Sequence, residues 1–213
     1  STTTKLSGVS YWAVGAVDFD GSDTNEALAL NYDLRLALKT SFTGKDMLTT
    51  VLRAGNFGDS SLQGAAFTNQ EYAWGPSDNF VKVGRLYYTF PVGDDLTVTA
   101  GPVVRTDDAG MYAGYATFYP SDLLVDFFTY GGAWATNNLS GQGSGVGAVY
   151  NIGDSGFSVS GNYVARNGQD SSAGLGTDES AFTSSYQLFY SGEALGGSVL
   201  AQVGYAIERN MTG

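Results

Sequence analysis

Five arginines, Arg35, Arg53, Arg85, Arg105 and Arg166, carry half of the 10 basic charges in a chain of 213 residues and net charge −11. Each lies in, or at the end of, a segment where apolar and polar residues alternate. A guanidinium keeps its charge at any working pH and offers only donors. Arginines gathered on one wall would attract anions and repel cations; they would not transfer protons. The chain has no His and no Cys. Ser–His–Asp and Cys–His catalysis, disulfides and zinc–thiolate centres are therefore excluded. Most carboxylates fall in turns and loops. An enzyme would need a pair such as Asp107 and Asp108, with nothing in the sequence to position it. No catalytic residue, cofactor or metal is expected.

The elements that must position the arginines are strands. In Leu28–Lys39, Leu28, Leu30, Tyr32, Leu34, Leu36 and Leu38 share one face. Ala29, Asn31, Asp33, Arg35, Ala37 and Lys39 share the other. A period of two is that of a strand. Strands are predicted at Lys5–Val17, Ala27–Lys39, Met47–Asn56, Phe80–Phe90, Leu96–Arg105, Gly145–Asn151, Phe157–Arg166, Phe182–Tyr190 and Ser198–Ile207. Most have about ten residues, the length a tilted strand needs to cross a bilayer. A charge on a lipid-facing position costs about 2–4 kcal/mol at the midplane. The leucine face is thus expected in lipid, and Arg35, Arg53, Arg105, Arg166, Asp33 and Lys39 on the water side. Arg85 joins them if Leu86, Tyr88 and Phe90 face outward; because Val81 and Val83 share its parity, its strand is a candidate for a bulge. The bland alternative is that the arginines satisfy cross-strand carboxylates, for example Arg53 with Asp33.

Connection lengths alternate. Thr40–Asp46, Pro91–Asp95, Ile152–Gly156 and Ser191–Gly197 are short and rich in turn formers. Asp18–Glu26, Phe57–Asn79, Thr106–Ser144 and Asn167–Ala181 are long. Short turns at one end and long loops at the other are the habit of outer-membrane barrels, whose short turns face the periplasm. The ninth strand then rises and would leave an edge in lipid, so the barrel is expected to continue past Gly213. Only 15% of residues are charged and 14% are aromatic, which suits a surface hidden in lipid. The acidic net charge argues against a nucleic-acid partner. No apolar run is long enough for a transmembrane helix.

Within the longest link, Ser121 is a candidate N-cap, and Leu123, Leu124, Phe127 and Phe128 recur at helical spacing. A helix over Ser121–Tyr130 is predicted to fold inward as a constriction, with Asp122 and Asp126 facing the arginines; a lid on the barrel mouth is the alternative. Tyr11, Trp12, Tyr32, Tyr88, Phe90, Tyr150, Phe157, Tyr190 and Tyr205 are candidates for interfacial aromatic girdles. Asp18–Glu26 is similar to a calcium loop but lacks the EF-hand spacing, so a solvated hairpin loop is expected.

The opening Ser1-Thr2-Thr3-Thr4-Lys5-Leu6-Ser7-Gly8 resembles the start of the barrel in cyanobacterial outer-membrane porins with S-layer-homology domains, of the carbohydrate-selective porin family. Tyr119-Pro120-Ser121-Asp122 through Asp126-Phe127-Phe128-Thr129-Tyr130-Gly131-Gly132-Ala133 resembles that family's central loop. Gly143-Ser144-Gly145-Val146-Gly147-Ala148-Val149-Tyr150 is similar to the Gly-rich strand after it. The resemblance implies a barrel of roughly sixteen strands, a homotrimer, passage of ions and small solutes, and a preceding periplasmic domain bound to peptidoglycan. Residues 1–213 would then be the N-terminal part of one barrel domain, without that wall-binding domain or the second half of the barrel.

The reading that results is an all-β, antiparallel, up-and-down transmembrane barrel. It would act as a porin for passive diffusion of ions and small hydrophilic solutes across the outer membrane, narrowed by the 106–144 link. The alternative is a soluble extracellular β-sandwich, a lectin-like binding module whose leucine faces form an inter-sheet core.

Overall fold

All nine alternating segments are strands in the computed structural model, which describes residues 2–18, 27–64, 72–75, 78–115, 141–194 and 196–209. They are β1 (Thr3–Gly15), β2 (Ala29–Ser41), β3 (Met47–Gly55), β4 (Lys82–Val92), β5 (Leu96–Arg105), β6 (Gln142–Asn151), β7 (Phe157–Ala165), β8 (Phe182–Ala194) and β9 (Gly197–Arg209). A short helix, α1 (Ser61–Gly64), lies in the link from β3 to β4. The sixth strand is longer than its sequence pattern predicts. Gly143 and Ser144 belong to it because backbone pairing with Val104 and Ala165 does not require an apolar side chain.

The strands form one antiparallel sheet in sequential order, β1 to β9. Among the described residues no second sheet packs on it, so the inter-sheet core of a sandwich is absent. No helix of the described residues is long and apolar enough to cross a membrane, which leaves strands as the spanning elements.

Register keeps each face consistent across the sheet. Leu6 opposes Leu38, Leu36 opposes Leu52, Leu48 opposes Tyr88, and Leu188 opposes Val203. This face is apolar and open: Leu6, Leu30, Trp12, Val203 and Tyr205 are all more than 60% exposed. Soluble monomers leave apolar patches of only roughly 300–600 Å² in water, whereas exposed large apolar side chains recur here from β1 to β9. Near the short turns it carries rings in pairs, Tyr88 on Phe90 with centroids 5.5 Å apart and Phe157 on Tyr190 at 4.7 Å. Tyr11 does not belong to this face, contrary to expectation. It opposes Asp33 on the polar side and stacks on Tyr72.

Two one-residue irregularities redirect side chains. Val51 opposes Arg85 while Leu52 opposes Val83, so Gly84 is an extra residue in β4. The bulge turns Val83 to the apolar face and Arg85 to the polar one, as its conditional placement required. In β5, Gly101 opposes Gly145 but Val104 opposes Gly143. The extra residue there brings Val104 to the polar-face parity that Thr97 and Thr99 hold.

The buried clusters lie where long links fold onto the polar face. Ala13, Val17, Phe57 and Leu62 form one; Tyr87, Val104, Met111 and Val164 form the other. Short turns are held locally. Asp46 accepts the N–H groups of Phe42 and Thr43 and the hydroxyls of Ser41, Thr43 and Tyr88. These bonds, that from Tyr88 first, hold its carboxyl well below the usual carboxylate range.

Candidate functional site: a basic groove on the polar face

Arg35 on β2 directly opposes Arg53 on β3, a costly placement for like charges unless a carboxylate intervenes. Asp33 supplies it. Arg53 donates to Asp33 Oδ1 from Nε at 3.0 Å and to Oδ2 from a terminal nitrogen, while Arg35 donates to Oδ2 at 3.1 Å. The Asp33 side chain is fully buried. A two-point guanidinium–carboxylate fork fixes geometry as well as charge. The structure thus pairs Arg53 with Asp33, and keeps both arginines on the same face.

Arg85 reaches the same place from β4. It donates to Gln142 at 3.1 Å and ion-pairs with Asp108, Nε to Oδ2, at 2.7 Å. A groove of about 280 Å³ runs between these strands, lined by Arg35, Lys39, Arg53, Arg85, Trp74 and Asp108 among others. Its four cations face two carboxylates, Asp33 and Asp108.

The groove has a roof that sequence reasoning missed. Arg35 lies over the Tyr72 ring at 4.4 Å and Arg53 over the Trp74 ring at 4.3 Å. Such cation–π contacts contribute about 0.5–2 kcal/mol each. The 72–75 segment is also held by its backbone: the Phe57 N–H donates to Trp74 O at 3.3 Å, and Gln63 Nε2 donates to Ala73 O at 3.1 Å. Gly55 permits the crossing, since a Cβ there would lie 2.3 Å from Trp74 O. Ser60 caps α1 below it, accepting from the Leu62 N–H and donating to Asn31.

The start of the longest link also lies on the polar face. Thr99 donates to Ala109 O at 2.7 Å, and the buried amide of Asn162 donates to Thr106 O and Met111 O at 3.0 and 2.9 Å. The Ala113 N–H donates to Gln187 Oε1 at 3.1 Å, and Gln202 of β9 donates to the Tyr112 hydroxyl at 2.9 Å. Residues 106–115 therefore cross the sheet from β5 towards β9. Burial raises the pKa of Asp108, with the Arg85 charge opposing the rise, and pushes Tyr112 up to about 12. Asp122, Asp126, Phe127 and Phe128, with the rest of the helix expected over Ser121–Tyr130, and residues 19–26 of the calcium-like stretch lie outside the described residues.

Two predicted wall residues fall outside the groove. Arg105 follows the irregularity in β5, which gives the polar-face parity to Val104; Arg105 pairs instead with Asp107 at 3.1 Å. Arg166 is exposed one residue beyond β7, where its N–H donates to Ala181 O. Three of the five arginines, Arg35, Arg53 and Arg85, line the groove. Asp107 and Asp108, the pair an enzyme would need, are each engaged by a different arginine.

The chain superposes on Pseudomonas putida OprB, a porin, with a TM-score of 0.61 and 15% identity, over 97% of this chain and 52% of that one. The fold is similar to a porin barrel. The sheet here is not closed, and β1 and β9 are its edges. No family model matches. Two cyanobacterial relatives do. The uncharacterized protein sll0772 of Synechocystis sp. is 38% identical over 107 residues, 48% of this chain and 19% of its own length. The uncharacterized protein alr4550 of Nostoc sp. is 32% identical over 169 residues, 71% of this chain and 28% of its own length. The chain thus spans less than a third of either relative and about half of OprB.

Proposed function

We propose that this sheet is the wall of an outer-membrane diffusion channel for ions and small hydrophilic solutes, of the carbohydrate-selective porin type. The observation that carries the reading is the division of the sheet. One face is apolar and open; the other bears the charged side chains of the groove and is covered by the described parts of two long links, 56–64 with 72–75 and 106–115. In lipid the first face needs no protein partner, and the second borders water. The similarity to OprB in fold supports the same reading. Free strand edges do not persist in hydrocarbon, so further strands would pair with β1 and β9 to close the barrel.

Permeation in this reading is passive. The links narrow the lumen, and lumen charge sets the order of entry. The full-length protein, extracted in detergent and added to planar bilayers, is expected to give stepwise, ohmic conductance. A protein that stays monodisperse without detergent and gives no conductance would contradict the reading.

A further inference from the structure

We propose that the groove between β2, β3 and β4 is a binding site for a compact, doubly charged oxyanion of phosphate chemistry. This deepens the channel reading, on which it rests for the anion's route from solution.

Three observations carry it. The first is charge. Four cations face two carboxylates, so the groove keeps two positive charges in a chain of net charge −11. The two carboxylates are already engaged, Asp33 by Arg35 and Arg53 and Asp108 by Arg85 and the Arg105 N–H. Lys39 has no ion pair among the described residues.

The second is the kind of polar atom left over. Arg35 Nε and Trp74 Nε1 are buried and have no acceptor among the described residues, and both side chains line the groove. A buried donor left unmet costs about 1–3 kcal/mol, so such atoms ask for a partner. Both are donors only. Arginine and lysine likewise bring no acceptor. A ligand rich in acceptors and poor in donors fits this lining. A phosphate does; a sugar, whose hydroxyls need acceptors as well as donors, finds as side-chain acceptors on this lining only the Thr49 and Tyr87 hydroxyls and the Asp108 carboxylate, which Arg85 and the Arg105 N–H already engage.

The third is size. About 280 Å³ lies at the low end of ligand pockets, roughly 300–1,000 Å³. One oxyanion with its nearest waters fits. The ring of Trp74, fixed over Arg53, closes the groove from above.

The test is a titration of inorganic phosphate into the full-length protein in detergent, read by the ³¹P line width. Phosphate is expected to broaden, sulfate to reverse the broadening, and glucose at the same concentration to leave it. Lys39→Met removes one charge that no carboxylate holds, and is expected to weaken phosphate binding about tenfold. Trp74→Phe keeps the ring and removes the N–H, and is expected to weaken it as well. Displacement by glucose as readily as by sulfate, or unchanged binding in both variants, would overturn the site. Potassium chloride conductance of the same preparation separates the two proposals. Conductance without phosphate binding overturns the site alone, and phosphate binding without conductance overturns the channel alone.

Discussion

Arg53 lies 4.3 Å beneath the Trp74 ring centroid, and the same guanidinium forks onto the buried carboxylate of Asp33. One side chain therefore joins the wall to the link above it. The contact that neutralises Asp33 also sets how far the 72–75 segment reaches over the polar face. Trp74→Ala should release that segment. The expected result is a larger unit conductance, with about 1 kcal/mol less stability in urea unfolding; Trp74→Phe should show neither change.

Asp108 links the groove to pH. Burial raises its pKa, so it takes up a proton at higher pH than an ordinary carboxylate, whose pKa is about 3.9. Protonation removes one negative charge from beside Arg85. As pH falls through this raised value, anion permeability relative to cation permeability should rise. Asp108→Asn should show the acidic ratio at neutral pH and no further change on acidification. Stability follows the same sign: a raised carboxylate pKa makes folding less favourable as pH climbs from the ordinary value through the raised one. The variant should lose that decline.

The fold was largely legible in the sequence, because leucine alternation and link length are direct consequences of a wall between lipid and water. Arg35, Arg53 and Lys39 take their faces from parity alone. Arg85 needed a bulge at Gly84, for which Val81 and Val83 were the only warning. Arg105 departs from simple parity through the irregularity after Gly101, which leaves no mark in the apolar pattern. The roof was illegible for another reason. Tyr72 and Trp74 sit in a long link without periodicity, and contacts between a loop and a wall obey no sequence spacing.

Gly147 tests whether the 106–115 link is seated on β6. A Cβ there would lie 2.7 Å from Met111 Sδ and 3.0 Å from Met111 Cα. Gly147→Ala should therefore destabilise the protein by about 1–3 kcal/mol through overpacking. Met111→Ala removes the Sδ contact, the tightest of these, and leaves the 3.0 Å contacts with Met111 Cα and Asn162 Cβ. The double variant should lose less than the two single losses added together, as measured by urea unfolding.

Sidedness follows from the links. Lys45 lies in a short turn and Ser171 in a long link, and both are exposed. The chain has no native Cys. Single cysteines at the two positions should react with an impermeant reagent from opposite sides of the membrane, with Ser171→Cys reacting on intact cells.

The claim that the two faces meet water and lipid is tested most directly on adjacent residues of β2. Ala37 opposes Ser7 and Val51 on the polar face, and Leu38 opposes Leu6 and Thr50 on the apolar face. In proteoliposomes, a charged thiol reagent should modify Ala37→Cys rapidly and leave Leu38→Cys unmodified. Equal rates at both positions would contradict the account.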